Sequence, residues 1–159
     1  MRVIFMRKKE AGIVMTFDGW LLKINGEIFP NDLIALESYK CTPDQIMDLD
    51  PYREGNGLLH RNALPHTATS IEFTTPPMHL PDVERLNQYI QHGARVQCEI
   101  EYWNTNTSSY ASGTFYISDV PYEIINVDEV KKNILYKGIK ITITEYERVE
   151  DRCWRCQKK

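Results

Sequence analysis

Pro81-Asp-Val-Glu-Arg-Leu-Asn-Gln-Tyr-Ile-Gln-His-Gly93 is the one stretch of the chain that reads as a good amphipathic helix, and the segments around it read as strands. A proline in the first turn needs no amide hydrogen, and Asp82 and Glu84 favour the positive end of the helix. Val83, Leu86, Tyr89 and Ile90 fall on a single apolar stripe. His92-Gly93 suits the C-terminus, so the pattern predicts a helix over 81–92. One stripe buries one face, so a lone helix among strands has to cover a sheet.

Working outward, Thr67 to Thr75 is rich in β-branched residues with Ile71 and Phe73 on one face, and Pro76-Pro77 ends it. After the helix, Arg95 to Trp103 alternates Val96, Cys98, Ile100 and Tyr102 with polar partners. It turns through the polar tip Asn104–Ser109 and returns as Tyr110 to Val120. Leu135 to Tyr146 supplies the last strand, with Ile139, Ile141, Ile143 and Glu145 opposing Lys140, Thr142, Thr144 and Tyr146. At the other end, Trp20-Leu-Leu-Lys-Ile-Asn-Gly-Glu-Ile-Phe29 alternates around Asn25-Gly26, a strong hairpin-turn dipeptide. Leu33 to Cys41 also reads as strand, although periodicity does not select its buried face. Strands with short connections and a single helix predict an α+β fold, mainly antiparallel β. It would be a two-sheet sandwich or a partly open barrel with one flanking helix.

Thr42 to His66 is far longer than a compact domain needs for a turn, and loops beyond about 12 to 15 residues are usually functional or disordered. Leu49, Tyr52, Leu58 and Leu59 sit among its charges, whereas a plain disordered linker is depleted of such anchors. It reads as an inter-strand arm that docks on a neighbouring subunit. Extended out and back, it would reach about 40 Å at roughly 3.3 Å per residue. Arg53 and Arg61 are suited to bidentate pairing with carboxylates of the next protomer, with Asp48 and Asp50 as the reciprocal half. The expected interface set is therefore Asp48, Asp50, Tyr52, Arg53, Leu58, Leu59 and Arg61.

The chain has 159 residues, 42% hydrophobic residues and a formal charge of −3, which fits one domain able to bury a sizeable core. Residues 1–10 hold four basic and one acidic residue and 148–159 hold five and two, leaving ten basic against nineteen acidic in 11–147. A body near −9 repels a phosphate backbone, so no specific nucleic-acid binding is expected. No apolar run is long enough for a membrane helix, and the first residues have too short an apolar stretch for a signal peptide. Cytoplasmic synthesis and no membrane partner are the expectations. Three segments follow: an extension 1–14, one domain 15–147 with its arm at 42–66, and a basic tail 148–159.

Cys153-Trp-Arg-Cys156 has the spacing of half a zinc site or of a redox pair, but no second C-x-x-C or H-x₃₋₅-H pair completes it. Asp48, Asp50, Glu54 and His60 could imitate an acid and base, yet no nucleophile motif or phosphate-cradling loop accompanies them. The reading is no enzyme, no metal and no cofactor. Tyr102, Trp103 and Tyr110 beside the polar tip keep a carbohydrate- or ligand-binding β module as the alternative.

Lys23-Ile-Asn-Gly-Glu-Ile-Phe-Pro30, Asp48-Leu-Asp50 with Arg53, Gly57 and Arg61, Ile71-Glu-Phe73 before a proline-led helix, Phe115-Tyr-Ile-Ser-Asp119, and Ile141 to Glu147 resemble a family of small siphophage and prophage minor tail proteins of Gram-positive bacteria. The resemblance covers roughly Trp20 to Glu147. It implies a tail-tube or distal-tail fold, two sheets and a flanking helix, with the long loop reaching an adjacent subunit. It further implies a structural virion component in a phage tail that self-associates, as a hexameric ring, and contacts adjacent tail proteins; a head-tail connector is a weaker variant. No catalytic residue comes with it. The arm sequence Asp50-Pro-Tyr-Arg-Glu-Gly55 is bulkier than the small, glycine-rich arm of that family.

Overall fold

Asn25 and Gly26 both take left-handed backbone, with φ of 51° and 85°, as a two-residue hairpin turn requires. β1 (Leu22–Ile24) and β2 (Glu27–Ile28) pair around them as the sequence predicts. The computed structural model describes residues 17–90, 97–146 and 148–149. Positions 1–16 and 150–159 lie outside it, and with them the expectations for the N-terminal extension and for Cys153 and Cys156.

The segment Leu33–Cys41 departs from the expected strand. Two 3-10 turns, Asn31–Leu33 and Leu36–Ser38, replace most of it, and strand begins only at Lys40. Leu33 and Ile34 are both buried, which an alternating strand does not allow. The chain here crosses the core rim from β2 towards the end of another strand. The Ala35 amide donates to the Thr74 carbonyl at 2.9 Å, and the Ser38 hydroxyl accepts from the Thr74 amide at 2.8 Å. A serine thus completes hydrogen bonding where the ladder stops.

Next come β3 (Lys40–Asp48), the two-residue strands β4 (Tyr52–Arg53) and β5 (Leu59–His60), and β6 (Ala63–Thr74). β7 (Met78–His79) leads directly into α1 (Leu80–Tyr89), with Pro81 in its first turn. α1 buries Val83 and Leu86, followed by Ile90. Tyr89 packs edge-on against Phe29, with ring centroids 5.5 Å apart. The helix holds the predicted stripe; His92 lies outside the described residues. β8 (Gln97–Asn104) and β9 (Ser109–Ile117) form the predicted hairpin. β10 (Ile124–Asp128), β11 (Asn133–Tyr136), β12 (Lys140–Glu145) and β13 (Arg148–Val149) complete the chain.

The main sheet runs β3–β6–β12–β9–β8–β1–β2, all antiparallel, with β13 continuing beyond β12 along β6. β10, β11 and β7 make a second sheet that meets α1, and β4 with β5 makes a third at the tip of the arm. The fold is α+β, mainly antiparallel, with one α-helix among the described residues and open sheets in place of a closed barrel. The expected last strand, Leu135–Tyr146, is two strands in two sheets. The break is at Gly138, where a Cβ would lie 2.5 Å from the Thr75 carbonyl oxygen. Only glycine lets the chain pass that close, and it crosses there from the second sheet to the first. Ile139 is then anchored by Thr75, whose hydroxyl accepts from the Ile139 amide at 2.9 Å.

The core lies between the inner face of the main sheet and α1 with the rim segment. Ile139, Ile141 and Ile143 are fully buried, and so are Ile71 and Phe73 across the ladder. Each such side chain contributes about 1.5–3 kcal/mol on burial. Glu145 continues the same face and is also buried, as the alternation requires.

Candidate interaction site at the projecting arm

Asp44 sets the arm's direction. It sits in left-handed backbone, φ 51°, inside a register shift between Thr42 and Gln45, and a second shift falls between Ile46 and Asp48. Aspartate tolerates this conformation better than most side chains, and such bulges bend a strand away from its partner. A polar network lies under the bend. The Thr69 hydroxyl accepts from the Asp44 amide at 3.3 Å and bonds the Tyr102 hydroxyl at 3.0 Å across the core. The Thr69 amide donates to Glu145 Oε2 at 3.0 Å, and Asn104 Nδ2 donates to Asp44 Oδ2 at 3.3 Å. Four strands, β3, β6, β8 and β12, are therefore tied together at the root.

Beyond the root, about half of the expected loop 42–66 is paired strand, with β3 and β6 pairing, through both shifts, as far as Asp48 opposite Ala63. The Leu49 amide then donates to the Asn62 carbonyl at 2.8 Å. β4 and β5 pair Tyr52 with His60 and Arg53 with Leu59. The tip closes at Glu54–Leu58, with Gly57 at φ 85° and Asn56 Oδ1 accepting from the Leu58 amide. The arm is a hairpin with a pinched tip. Legible in hindsight, Gly57 and Asn56 mark that turn.

The charges of the arm are used within it. Arg61 holds Asp48 through Nε and Nη2 at 2.8 and 2.7 Å, so this arginine and this carboxylate are partners on one chain. Arg53 Nη1 donates to the Gly57 carbonyl at 3.1 Å. His60 Nε2 lies 2.8 Å from Glu54 Oε1 and its ring stacks on Tyr52. Of the four residues that could imitate an acid and base, His60 therefore faces Glu54, while Asp48 is held by Arg61. Asp50 is exposed, and it too has left-handed backbone, φ 45°. Among the described residues, the hydrogen bonds, ion pairs and ring contacts of 49–62 close within 48–62.

Large apolar side chains are open on the arm beside its exposed polar ones. Leu49, Tyr52, Leu58 and Leu59 are 45–59% exposed, and Ile46, which sequence reading passed over, joins them at 57%. A second exposed apolar group was missed altogether: Ile124, Ile125 and Val127 on β10, each just over half exposed, with Val130 at 92%. The signal was present as Ile-Ile-Asn-Val after Pro121, a β-branched run of strand type.

The aromatic group named for sugar stacking is arranged otherwise. Tyr102 is fully buried, on the sheet face opposite Trp103. Tyr110 stacks on Trp20 at 3.9 Å and meets Trp103 edge-on, and Phe17 packs against both Trp103 and Tyr110. The Tyr110 hydroxyl donates to the Trp20 carbonyl and accepts from the Asp18 amide. These rings are used on one another. At the root of the arm, an open cleft of about 700 Å³ is lined by Gln45, Ala68, Ser70, Tyr116, Thr144 and Tyr146, with Thr69 and Glu145.

Among the described residues no group of three or more His, Cys, Asp or Glu is placed to hold a metal ion. Burial pushes the Cys41 thiol up to about 11, with Asp44 adding to the effect, and burial also raises Cys98. Both stay protonated near neutrality and are poor nucleophiles. No described helix is long and apolar enough to cross a membrane.

No curated protein and no solved structure matches this chain. The model of a family of unknown function (DUF6711) matches residues 15–146, most of the chain, and the protein belongs to that family.

Proposed function

We propose that the protein is a structural component of a phage tail, of the tube, distal-tail or tail-terminus kind, which self-associates and contacts adjacent tail proteins through the arm. One observation carries the reading: the arm pairs Arg61 with Asp48 and His60 with Glu54 within itself, and it leaves five large apolar side chains exposed. Contiguous exposed apolar surface is a mark of docking sites on soluble proteins. The resemblance of Lys23–Pro30, the arm and Ile141–Glu147 to siphophage minor tail proteins supplies the virion context, and with it six copies in a ring. The role is architectural and involves no reaction. Because Arg61 and Asp48 hold each other, the pair stiffens the arm, and the contact to a neighbour falls to Leu49, Tyr52, Leu58 and Leu59.

Light scattering on a sizing column, with negative-stain microscopy of the same fraction, tests the reading. Rings or stacks larger than one chain are expected, and Leu58→Asp with Leu59→Asp should return the protein to a single chain without lowering its melting temperature. Assembly unaffected by those changes would sink the arm's role. The second reading, a small ligand-binding β module, rests on the cleft at the arm's root with Tyr116 and Tyr146, whose rings meet edge-on at 5.4 Å. A glycan screen separates it, since binding lost on Tyr116→Ala would favour that reading.

A further inference from the structure

Resting on the self-association reading, we infer that the arm of one copy docks on the β10–β11 hairpin of a second copy, head to tail. The arm and the second sheet leave the body at opposite ends of β6: the arm beyond Ala63, the second sheet beside Thr74 and Lys140. Twelve strand residues separate those ends by about 40 Å at roughly 3.3 Å per residue. An arm that extends away from its own second sheet meets that surface only on another molecule.

The two surfaces match in kind. β10 is an edge strand, paired among the described residues with β11 alone, and Ile124, Ile125 and Val127 are just over half exposed on it. An apolar, unpaired edge of five residues invites another chain unless it is covered. Leu49, Tyr52, Leu58 and Leu59 of the arm present the complementary apolar side chains. The charges fit as well. Lys131, Lys132 and Glu129, in the turn between β10 and β11, have no ion-pair partner among the described residues, and neither do Asp50 and Arg53 on the arm, so each sign can meet its opposite. A standard interface buries roughly 800 Å² per partner. Each copy giving an arm and receiving one engages both patches. Such a contact is heterologous: it closes into a ring or propagates as a stack, and it does not stop at a symmetric dimer.

Complementation between two defective chains tests it. Variant one carries Leu58→Asp and Leu59→Asp, and variant two carries Ile125→Asp and Val127→Asp, all at exposed positions. At a concentration where the native chain assembles, each variant alone should run as a single chain. Their equimolar mixture should give a two-chain species and nothing larger, because one intact arm meets one intact β10. Native-like assembly of variant two would overturn the inference while leaving arm-driven association standing. A mixture that stays monomeric would also overturn it, since the two patches would then not be partners. A native chain that is single at every concentration reached would remove the self-association reading itself. Should variant two melt below the native chain, Lys131→Glu with Lys132→Glu replaces it. That change should weaken association at least roughly tenfold, and Asp50→Lys should restore part of the loss; no weakening, or no restoration, counts against the pairing.

Discussion

The arm and the β8–β9 hairpin are both long antiparallel ladders that end in a polar turn with aromatic residues close by, yet they treat their apolar side chains in opposite ways. Near its tip the β8–β9 hairpin carries Trp103 and Tyr110, and the preceding segment folds Phe17 and Trp20 over them. Lys23 completes that corner, with its ammonium 4.2 Å from the Trp20 ring and 3.3 Å from Glu101. Among the described residues the outer part of the arm has no such cover, and the bonds of 49–62 stay within 48–62. Apolar side chains left open on a hairpin that pairs its charges locally fit the proposed docking on another chain, and the covered hairpin shows how the same side chains are treated within one chain.

The largest effect should come from uncovering the covered hairpin. Trp20→Ala removes a ring that is 7% exposed and stacked on Tyr110, and a chemical-denaturation curve should show a loss of about 3–5 kcal/mol. A loss under 1 kcal/mol would mean that the corner is not part of the cooperative core and would erase the contrast. At the root of the arm, Thr69→Val keeps the shape but deletes the hydroxyl that accepts from the Asp44 amide and bonds Tyr102. An intermediate cost of about 1–3 kcal/mol is expected, with hydrogen exchange at the Asp44 amide speeding up more than exchange in β8. Equal acceleration in both would show that the network serves the core at large and not the bend. The smallest effect belongs to the arm itself. Leu58→Ala should change stability by no more than about 0.5 kcal/mol, as at other exposed sites. Measured on the same curve, a cost near that of Trp20→Ala would mean the arm packs on its own chain.

Legibility of the fold followed how local each signal was. Asn25-Gly26 demanded a tight turn, and Val83, Leu86 and Ile90 demanded a helix face; both requirements are met within a few residues of chain. Leu33–Cys41 was misread because alternation is silent about a rim segment whose neighbouring residues Leu33 and Ile34 both point into the core. Leu135–Tyr146 looked like one strand because the break depends on Gly138 meeting the backbone of Thr75, a residue 63 positions away. At the candidate site, Leu49, Tyr52, Leu58 and Leu59 were legible as apolar anchors in a polar segment. That Arg61 would hold Asp48, and that His60 would face Glu54, depended on how the hairpin pinches.

The sequence by itself determined the element types: a single amphipathic helix, alternating strands with Ile139, Ile141, Ile143 and Glu145 on one face, and a long segment with apolar anchors. These follow from period and turn chemistry, which act over a few residues. Only the tertiary structure decided that the arm is a bent hairpin, that Arg61 pairs with Asp48 and His60 with Glu54 inside it, and that a second apolar edge lies at the far end of β6. Those outcomes depend on which distant strands share a ladder and on what each side chain meets across it, and neither is encoded in any local window of the chain.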